Sequence, residues 1–263
     1  MKRPVITLLT DFGSMDHYAG AMKGVMLGIC PSAQLVDISH EVTPYAITEA
    51  AFMLAQAWRS FPKGTVHLVV VDPGVGSARR PILMEIAGHC FVAPDNGVLT
   101  MLFDAGITCK VREITASRYF REPVSLTFHG RDIFAPVAAH LAAGLAPAKF
   151  GKRIEDYVRL DFARPIRSGP KKWTGSILKI DRFGNLITNF ESEAWKRLKR
   201  QRFEMRIGTR CASVLASNYA EMGAGELFAI AGSAGFLELS MNQASAASVI
   251  GVQPGDTLEV RLL

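Results

Sequence analysis

The chain has 263 residues, of which 49% are hydrophobic and 21% charged, with a formal net charge of +6. This composition is typical of a folded globular protein and excludes a disordered chain. No apolar run approaches the roughly 18 residues that a membrane-spanning helix needs, so we expect no membrane segment. The N-terminal stretch MKRPVITLLTDFG has no small-residue cleavage site and predicts a first strand in a cytoplasmic protein.

Cysteine spacing and charge distribution argue against several kinds of binding site. The four cysteines are widely scattered and form no CxxC or Cys/His pair, which argues against a zinc site and a disulfide framework. Basic residues are dispersed apart from 164–172 and 196–202, and no RNP-like motif accompanies them. Two solvated basic surfaces are the favoured interpretation, and nucleic-acid binding stays an alternative that predicts strong salt dependence.

The first 160 residues alternate between strand-like and helix-like patterns. Predicted strands cover 5–10, 34–38, 66–71, 82–87, 91–93 and 110–114. Predicted helices cover 18–29 with Asp16 as N-cap, 48–60, a short segment after Asp95-Asn96, and 133–143 with Pro136 in its first turn. This alternation predicts an α/β domain with a mostly parallel sheet flanked by helices.

The pattern changes near residue 160. A basic stretch with two prolines and a glycine predicts a linker over 161–172. Short β-type runs follow at 176–180, 186–190, 203–207, 227–230, 237–239 and 257–262, interrupted by one helical segment near 192–200. We therefore predict an N-terminal α/β domain over 1–160 and a smaller, mostly β domain over 173–263, built as a barrel or sandwich.

The stretch VHLVVVDPGVGSARR, residues 66–80, is the strongest candidate for ligand chemistry. A buried strand ends there in Asp72, a glycine-containing turn follows, and two arginines come next. In α/β proteins ligands bind at the carboxyl ends of parallel strands, where Asp11 and His129 are also expected. Each residue alone is as compatible with a turn or a cap. Together, a carboxylate, a guanidinium and an imidazole can hold a water and favour its hydroxide character.

Two familiar motifs are only partly present, and a third is absent. Asp11-Phe12-Gly13 lacks the other protein-kinase elements. Gly74-Val75-Gly76 lacks the third glycine of a dinucleotide fingerprint and follows the third strand, and no P-loop occurs. We therefore do not expect a kinase or a classical nucleotide-cofactor site.

Two loops of the second domain carry candidate binding groups. Asp181-Arg182-Phe183-Gly184-Asn185 lies between two predicted strands and is typical of a hairpin turn. The alternative is a binding loop in which Asp181 meets an ammonium group, Phe183 stacks and Asn185 meets a base edge. The tight loop 232–236 could hold a carboxylate through its backbone amides.

Six ordered motifs, TDFGSMDHYAGAMKG, DPGVGSARR, APDNG, TFHGRDIFAP, DRFGN and GSAGFLELSMN, resemble the S-adenosyl-L-methionine hydroxide adenosyltransferase family, related to the fluorinating and chlorinating enzymes. The resemblance covers nearly the whole chain. It implies an N-terminal α/β domain and a C-terminal β-barrel-like domain. It also implies a homotrimer that binds S-adenosylmethionine at the subunit interface, with no cofactor and no metal.

The resemblance also implies roles for individual residues. Asp72, Arg79 and His129 match the residues that handle the attacking water. The matched substrate-binding residues are Asp11 for the ribose hydroxyls, Tyr45 beside the sugar, Asp181, Phe183 and Asn185 around the methionine amine and adenine, Tyr219 on adenine, and Ser233 on the methionine carboxylate. Tyr18 lies where halogenating relatives have a smaller hydroxyl residue, and Ala234 and Met241 lie where some of them have arginines.

The expected activity is hydrolysis of S-adenosylmethionine to adenosine and methionine. Halogenating relatives resemble the 66–80 stretch but have an aromatic residue where this chain has Asp72, and a carboxylate there would repel a halide. Hydroxide is therefore favoured over chloride or fluoride. The alternatives are a halide adenosyltransferase and a non-catalytic protein that senses an adenosyl ligand.

Overall fold

A computed structural model describes residues 3–103, 107–160 and 164–263, and the chain divides into two compact units, 1–160 and 161–263. In the first unit the described strands are β1 Val5–Thr10, β2 Gln34–Ser39, β3 Val66–Val70, β4 Pro81–Ile86, β5 His89–Pro94, β6 Cys109–Glu113 and β7 Arg153–Ile154. The described helices are α1 Tyr18–Ile29, α2 Ile47–Ala57, α3 Thr100–Phe103 and α4 Ala135–Ala142, and a π-helical turn covers Gly130–Phe134.

The sheet of the first unit has the strand order β2-β1-β3-β5-β4-β6-β7. The first four strands are parallel to one another, whereas β4, β6 and β7 pair antiparallel. The α/β class is thus confirmed, but the mostly parallel sheet is correct for only part of it. The reason is the two-residue turn Ala87-Gly88, where both residues have positive φ, because such a turn joins antiparallel strands.

Helices cover both faces of this sheet. Along β1, Leu8 packs in the core cluster that contains Met22 of α1 and Val137 of α4, while Leu9 packs with Leu54 of α2. Successive residues of a strand point to opposite faces, so a doubly covered strand must be apolar on both. This explains the unbroken burial of β3, Val66–Val70, at the centre of the sheet.

The helix predictions for the first unit are largely confirmed. Helix α1 begins at Tyr18, but the predicted N-cap Asp16 is wrong, because His17 occupies that position and makes no side-chain cap. Pro136 lies in the first turn of α4, as predicted. The preceding π-helical turn was not predicted.

The second unit is mainly β. Its described strands are β8 Ile166–Gly169, β9 Lys172–Ile180, β10 Leu186–Glu191, β11 Phe203–Ile207, β12 Arg210–Ala212, β13 Leu215–Ala216, β14 Leu227–Ala231, β15 Phe236–Met241 and β16 Thr257–Leu262. They form one sheet of order β12-β11-β16-β9-β10-β15-β14-β13, with β8 added beside β9. The sheet curls, since β12 also contacts β14. The six β-type runs predicted here are confirmed as parts of strands.

Two predictions for the second unit need correction. The predicted linker 161–172 contains β8, which pairs antiparallel with β9, and residues 161–163 lie outside the described ranges. The predicted helical segment 192–200 reduces to a short 3-10 turn, Lys196–Lys199, while a helix not predicted, α5 Ala246–Ile250, packs beside β15. Helix α5 is only five residues long, which is too short for a helical spacing of apolar residues to be recognised in the sequence.

Over the described ranges, no helix combines the length and the apolar character needed to cross a bilayer. The predicted cytoplasmic location stays a prediction.

Candidate active site

The loop after β3 brings Asp72 and Arg79 together. Strand β3 ends beside β1 and β5, and the turn that follows folds back so that the Arg79 Nε donates to both oxygens of Asp72, at 2.9 and 3.0 Å. The Arg79 Nη2 donates to Asp72 Oδ2 as well. The two side chains are only 9% and 5% exposed, so this is a bidentate ion pair shielded from water.

His129 joins this pair from another part of the chain. It immediately precedes the π-helical turn, and its Nδ1 lies 2.8 Å from Arg79 Nη2. A guanidinium can only donate hydrogen bonds, so Nδ1 must be the acceptor and the ring proton must lie on Nε2. Burial lowers the pKa of His129, and the charge of Arg79 lowers it further. The imidazole is therefore held neutral, in a single tautomer.

Asp11 and Tyr45 form a second pair in the first unit. Asp11 directly follows β1, and its Oδ2 accepts a hydrogen bond of 2.8 Å from the backbone N–H of Tyr45. Tyr45 has a φ of +68°, and its side chain stands out at 71% exposure. Burial raises the pKa of Asp11, and the Tyr45 N–H opposes that shift. The loop is thus built to present an aromatic ring beside a carboxylate.

Asp72 and His129 line the same cavity as Asp11 and Tyr45, a space of about 340 Å³ in the first unit. Its lining residues are Asp11, Phe12, Tyr18, Pro44, Tyr45, Val70, Asp72, Val75, Thr127, Phe128, His129 and Gly130. This size lies in the range of small-molecule sites, and the mixture of apolar walls with a few polar groups is typical of them. The structure therefore brings Asp11, Tyr45, Asp72 and His129 to one space, with Arg79 behind Asp72.

Aromatic rings build one wall of this cavity. Phe128 packs edge-on against Tyr18 and Phe12, with ring centroids 5.1 and 6.1 Å apart. Tyr18 also stacks on His17 at 4.5 Å. Tyr18, to which the resemblance assigns no definite role, is therefore part of the cavity wall.

The candidate residues of the second unit form a separate group. The turn between β9 and β10 is a hairpin in which Asp181 accepts hydrogen bonds from the backbone of Phe183 and Asn185 and from the Asn185 side chain, each at 2.9 Å. The hairpin turn expected from the sequence is therefore present. In this turn the Phe183 side chain is 78% exposed. A ring held outward by a fixed turn is also suited to stacking on a planar ligand.

Glu238 is a residue of this unit that the sequence interpretation missed. It lies in β15, is almost fully buried, and accepts a hydrogen bond of 3.2 Å from the Tyr219 hydroxyl. Burial raises the pKa of Glu238, and the charge of Asp181 adds to the shift. A charged residue inside the apolar run FLELSM was the signal that could have revealed it.

Ser233 lies in the tight loop between β14 and β15. The loop is closed by hydrogen bonds from Gly232 N to Phe236 O and from Gly235 N to Gly232 O, at 2.9 and 3.1 Å. Ser233 is exposed and lines a groove of about 320 Å³ together with Lys196 and Lys199. Ala234 belongs to the same loop, whereas Met241 is buried in the core of this unit.

The described residues were also compared with the side-chain arrangements that hold metal ions. Among those residues, no group of three or more His, Cys, Asp or Glu side chains is arranged to hold a metal ion. The expected absence of a resident metal or cofactor stays a prediction.

These observations define a class: an α/β protein in which a carboxylate, a guanidinium and a neutral imidazole meet at the edge of a small-molecule cavity. Models of the SAM hydroxide adenosyltransferase N-terminal and C-terminal domains match residues 6–151 and 175–259. The chain belongs to the SAM hydroxide adenosyltransferase family. The resemblance of the six motifs is thereby confirmed.

Individual relatives cover nearly the full chain. A protein of Salinispora tropica named (R)-S-adenosyl-L-methionine hydrolase is 36% identical over 260 residues, 98% of this chain and 97% of that protein. A fluorinase of Nocardia brasiliensis is 27% identical, over 99% of this chain and 98% of its own. The crystal structure of an uncharacterised conserved protein from Thermotoga maritima superposes with a TM-score of 0.89 at 40% identity, over 97% of this chain and 99% of that one.

Proposed function

We propose that this protein hydrolyses S-adenosyl-L-methionine to adenosine and L-methionine. The observation that carries the proposal is the Asp72–Arg79–His129 cluster beside the cavity, in a chain whose relatives include a hydrolase of this name at 36% identity. The substrate is a sulfonium cation whose C5′ is electrophilic. Neutral methionine leaves, so no acid is needed to protonate it.

The reaction that we propose is an in-line displacement. The oxygen of a water attacks C5′, the C5′–S bond breaks with its electrons going to sulfur, and the water loses one proton. The protein must hold the water behind C5′ and exclude competitors, which converts an encounter into a positioned reaction. Overall, S-adenosylmethionine and water give adenosine, methionine and one proton.

The hydrogen bonds of the cluster suggest separate roles for its members. The Nδ1 of His129 is occupied by Arg79, so the ring can offer only its Nε2–H, which would orient the water through the water oxygen. Oδ1 of Asp72 accepts a single hydrogen bond, from Arg79 Nε, and keeps room to accept one from the water. We therefore propose that Asp72 receives the proton, that His129 orients the water, and that Arg79 favours its hydroxide character.

Binding roles for the other residues follow the same proposal. Asp11 holds the ribose hydroxyls and Tyr45 packs beside the sugar. Asp181, Phe183 and Asn185 surround the methionine amine and the adenine, with Tyr219 stacking and Ser233 meeting the methionine carboxylate. In support, Phe183 and Tyr45 are the kind of exposed rings that a planar ligand can cover. The relatives' name specifies the R epimer at sulfur, and we propose the same preference here.

We further propose a homotrimer, with a barrel-like second unit that completes the site of a neighbouring copy. The proposal rests on the resemblance. Mixing two inactive variants tests it: Asp72→Ala and Phe183→Ala chains, denatured and refolded together, should regain activity because some sites combine one intact half from each. Activity that stays at the level of the separately refolded variants, or a monomeric mass in light scattering, would refute it.

The activity itself is tested by chromatography of purified protein incubated with S-adenosylmethionine. We expect equal amounts of adenosine and methionine, and no 5′-halo-5′-deoxyadenosine when chloride or fluoride is added. A halogenated product would identify the halide adenosyltransferase that the fluorinase relatives suggest. Tight binding without turnover would identify a sensor.

A further inference from the structure

Asp132 lies three residues after His129, inside the π-helical turn, and its side chain is completely buried. Its carboxylate accepts four hydrogen bonds. The donors are Arg131 Nε at 2.7 Å, Arg131 Nη2 at 2.9 Å, Arg121 Nη1 at 3.2 Å and the backbone N–H of Ser125 at 2.9 Å. Burial raises the pKa of Asp132, but the bonds from Arg131 and Ser125 outweigh it and hold the pKa below its ordinary value. All four acceptor positions of the carboxylate are thus filled.

The bond to Ser125 extends this contact to the loop that carries Asp72 and Arg79. The residue after Ser125, Leu126, lies with its backbone against Gly76, which has a φ of +77°. A Cβ at position 76 would overlap the Leu126 carbonyl oxygen. Asp132 therefore holds, through Ser125, a segment that packs directly on the loop between the two members of the ion pair.

The π-helical turn that contains Asp132, together with His129 just before it, contacts Arg79 of the ion pair at two further points. The Arg79 guanidinium carbon lies 5.0 Å from the centre of the buried Phe134 ring, at the end of the turn. The other contact is the hydrogen bond from Arg79 Nη2 to His129, at its start. Asp132 lies between these two residues in sequence, and its charge also raises the pKa of His129 against the effects of burial and Arg79.

We infer that Asp132 is a positioning residue for the proposed hydrolysis: its buried carboxylate fixes the His129 turn against the Asp72–Arg79 loop. It touches neither the cavity nor the ion pair. The expected loss of kcat rests on the proposed function. The expected change in the position of the His129 ring rests on geometry alone. A misplacement of about 1 Å in a catalytic group costs about 10²-fold in rate.

The variant Asp132→Asn tests this inference, because the amide keeps the size of the side chain but presents N–H groups to donors. We expect kcat to fall about 10²-fold with little change in KM. We also expect the acidic limb of the kcat–pH profile to move to lower pH, since the loss of the Asp132 charge lowers the pKa of His129. If Asp132 served stability alone, kcat of the folded variant and the position of the acidic limb of its kcat–pH profile would both stay unchanged.

Asp95→Asn is the matched control. Asp95 is nearly as buried, at 3% side-chain exposure, and accepts hydrogen bonds from Arg80 Nε and Nη2 and from the backbone N–H of Val158. We expect this variant to lower the melting temperature while kcat, measured well below it, stays near that of the unmodified protein. Equal losses of kcat in both variants would overturn the inference.

A readout without turnover separates this inference from the proposed function. Nitrogen-15 NMR of the histidine rings, assigned with His129→Gln, should show one neutral Nε2–H tautomer for His129 and a tautomer mixture in Asp132→Asn. Identical spectra with unchanged kcat would refute the positioning role.

If the unmodified protein releases no adenosine, the proposed function fails, and the spectra alone decide whether Asp132 positions His129. If Asp132→Asn does not fold, Arg121→Met, which removes one half-exposed donor, should show the same changes to a smaller extent.

Discussion

Arg79 donates a hydrogen bond through Nη2 to Nδ1 of His129 across 2.8 Å. Because the same guanidinium is paired with Asp72, it ties the carboxylate and the imidazole into one unit and fixes which nitrogen of the ring carries the proton. The two ends of this contact are 50 residues apart in the chain. The relationship gives the proposed water two neighbours, an accepting Asp72 oxygen and a donating His129 Nε2–H, whose hydrogen-bonding characters are fixed by Arg79.

Asp72→Asn should abolish most turnover without releasing the substrate. The amide cannot take a proton from water, and loss of a general base lowers rates by about 10²–10⁴-fold. Isothermal titration with S-adenosylhomocysteine, a non-reacting analogue, should give an affinity close to that of the unmodified protein. Turnover that survives at the original rate would remove Asp72 from the mechanism.

The activity should persist below the pH at which an ordinary histidine is protonated. Burial and the Arg79 charge lower the pKa of His129, so the neutral ring survives as pH falls through 6.5 and activity is lost only at lower pH. The dependence of kcat on pH checks this. An acidic limb at or above 6.5 would show that His129 does not work in the neutral form that we assign.

Gly76→Ala should reduce both stability and kcat. The added Cβ would meet the Leu126 carbonyl, and the left-handed backbone costs a further increment of about 1 kcal/mol. Gly64→Ala is the matched control, since Gly64 has a φ of +87° with open space around it. Thermal unfolding and kcat of both variants should show a loss of kcat only for Gly76→Ala. Equal kcat values in the two variants would argue against close packing of the two loops.

Acid should destabilise the first unit through a buried histidine pair away from the cavity. His67 is fully buried in β3, bonded to Thr7 at 2.8 Å and to His89 at 3.2 Å. Burial, and then the charge of His89, lower the pKa of His67 to about 3. The unfolded chain binds this proton near pH 6.5, so stability is full above 6.5 and declines as pH falls toward 3.

The expected slope from His67 is about 1.4 kcal/mol per pH unit, measured by urea unfolding at a series of pH values. His67→Gln should be less stable at neutral pH but should show a shallower decline in acid. A decline as steep as that of the unmodified protein would assign the acid sensitivity to other groups.

Much of this architecture was predictable because strand ends are visible in the sequence. The run 66–71 ends at Asp72, and the parallel pairing of β3 with β1 brings Asp11 to the same edge of the sheet. The antiparallel half was missed because a positive φ at Ala87, a residue that rarely adopts it, makes the turn between β4 and β5. The roles of Asp132 and Glu238 were missed because a buried carboxylate is recognised by its burial and its hydrogen-bond donors, and the sequence alone shows neither.

Isotope labelling tests the central claim most directly. Purified protein is incubated with S-adenosylmethionine in water enriched in oxygen-18, and adenosine and methionine are examined by mass spectrometry. If water attacks C5′, adenosine gains one labelled oxygen at its 5′ position and methionine gains none. Adenosine without label, or a 5′-halo product formed in the presence of halide, would contradict hydrolysis at C5′.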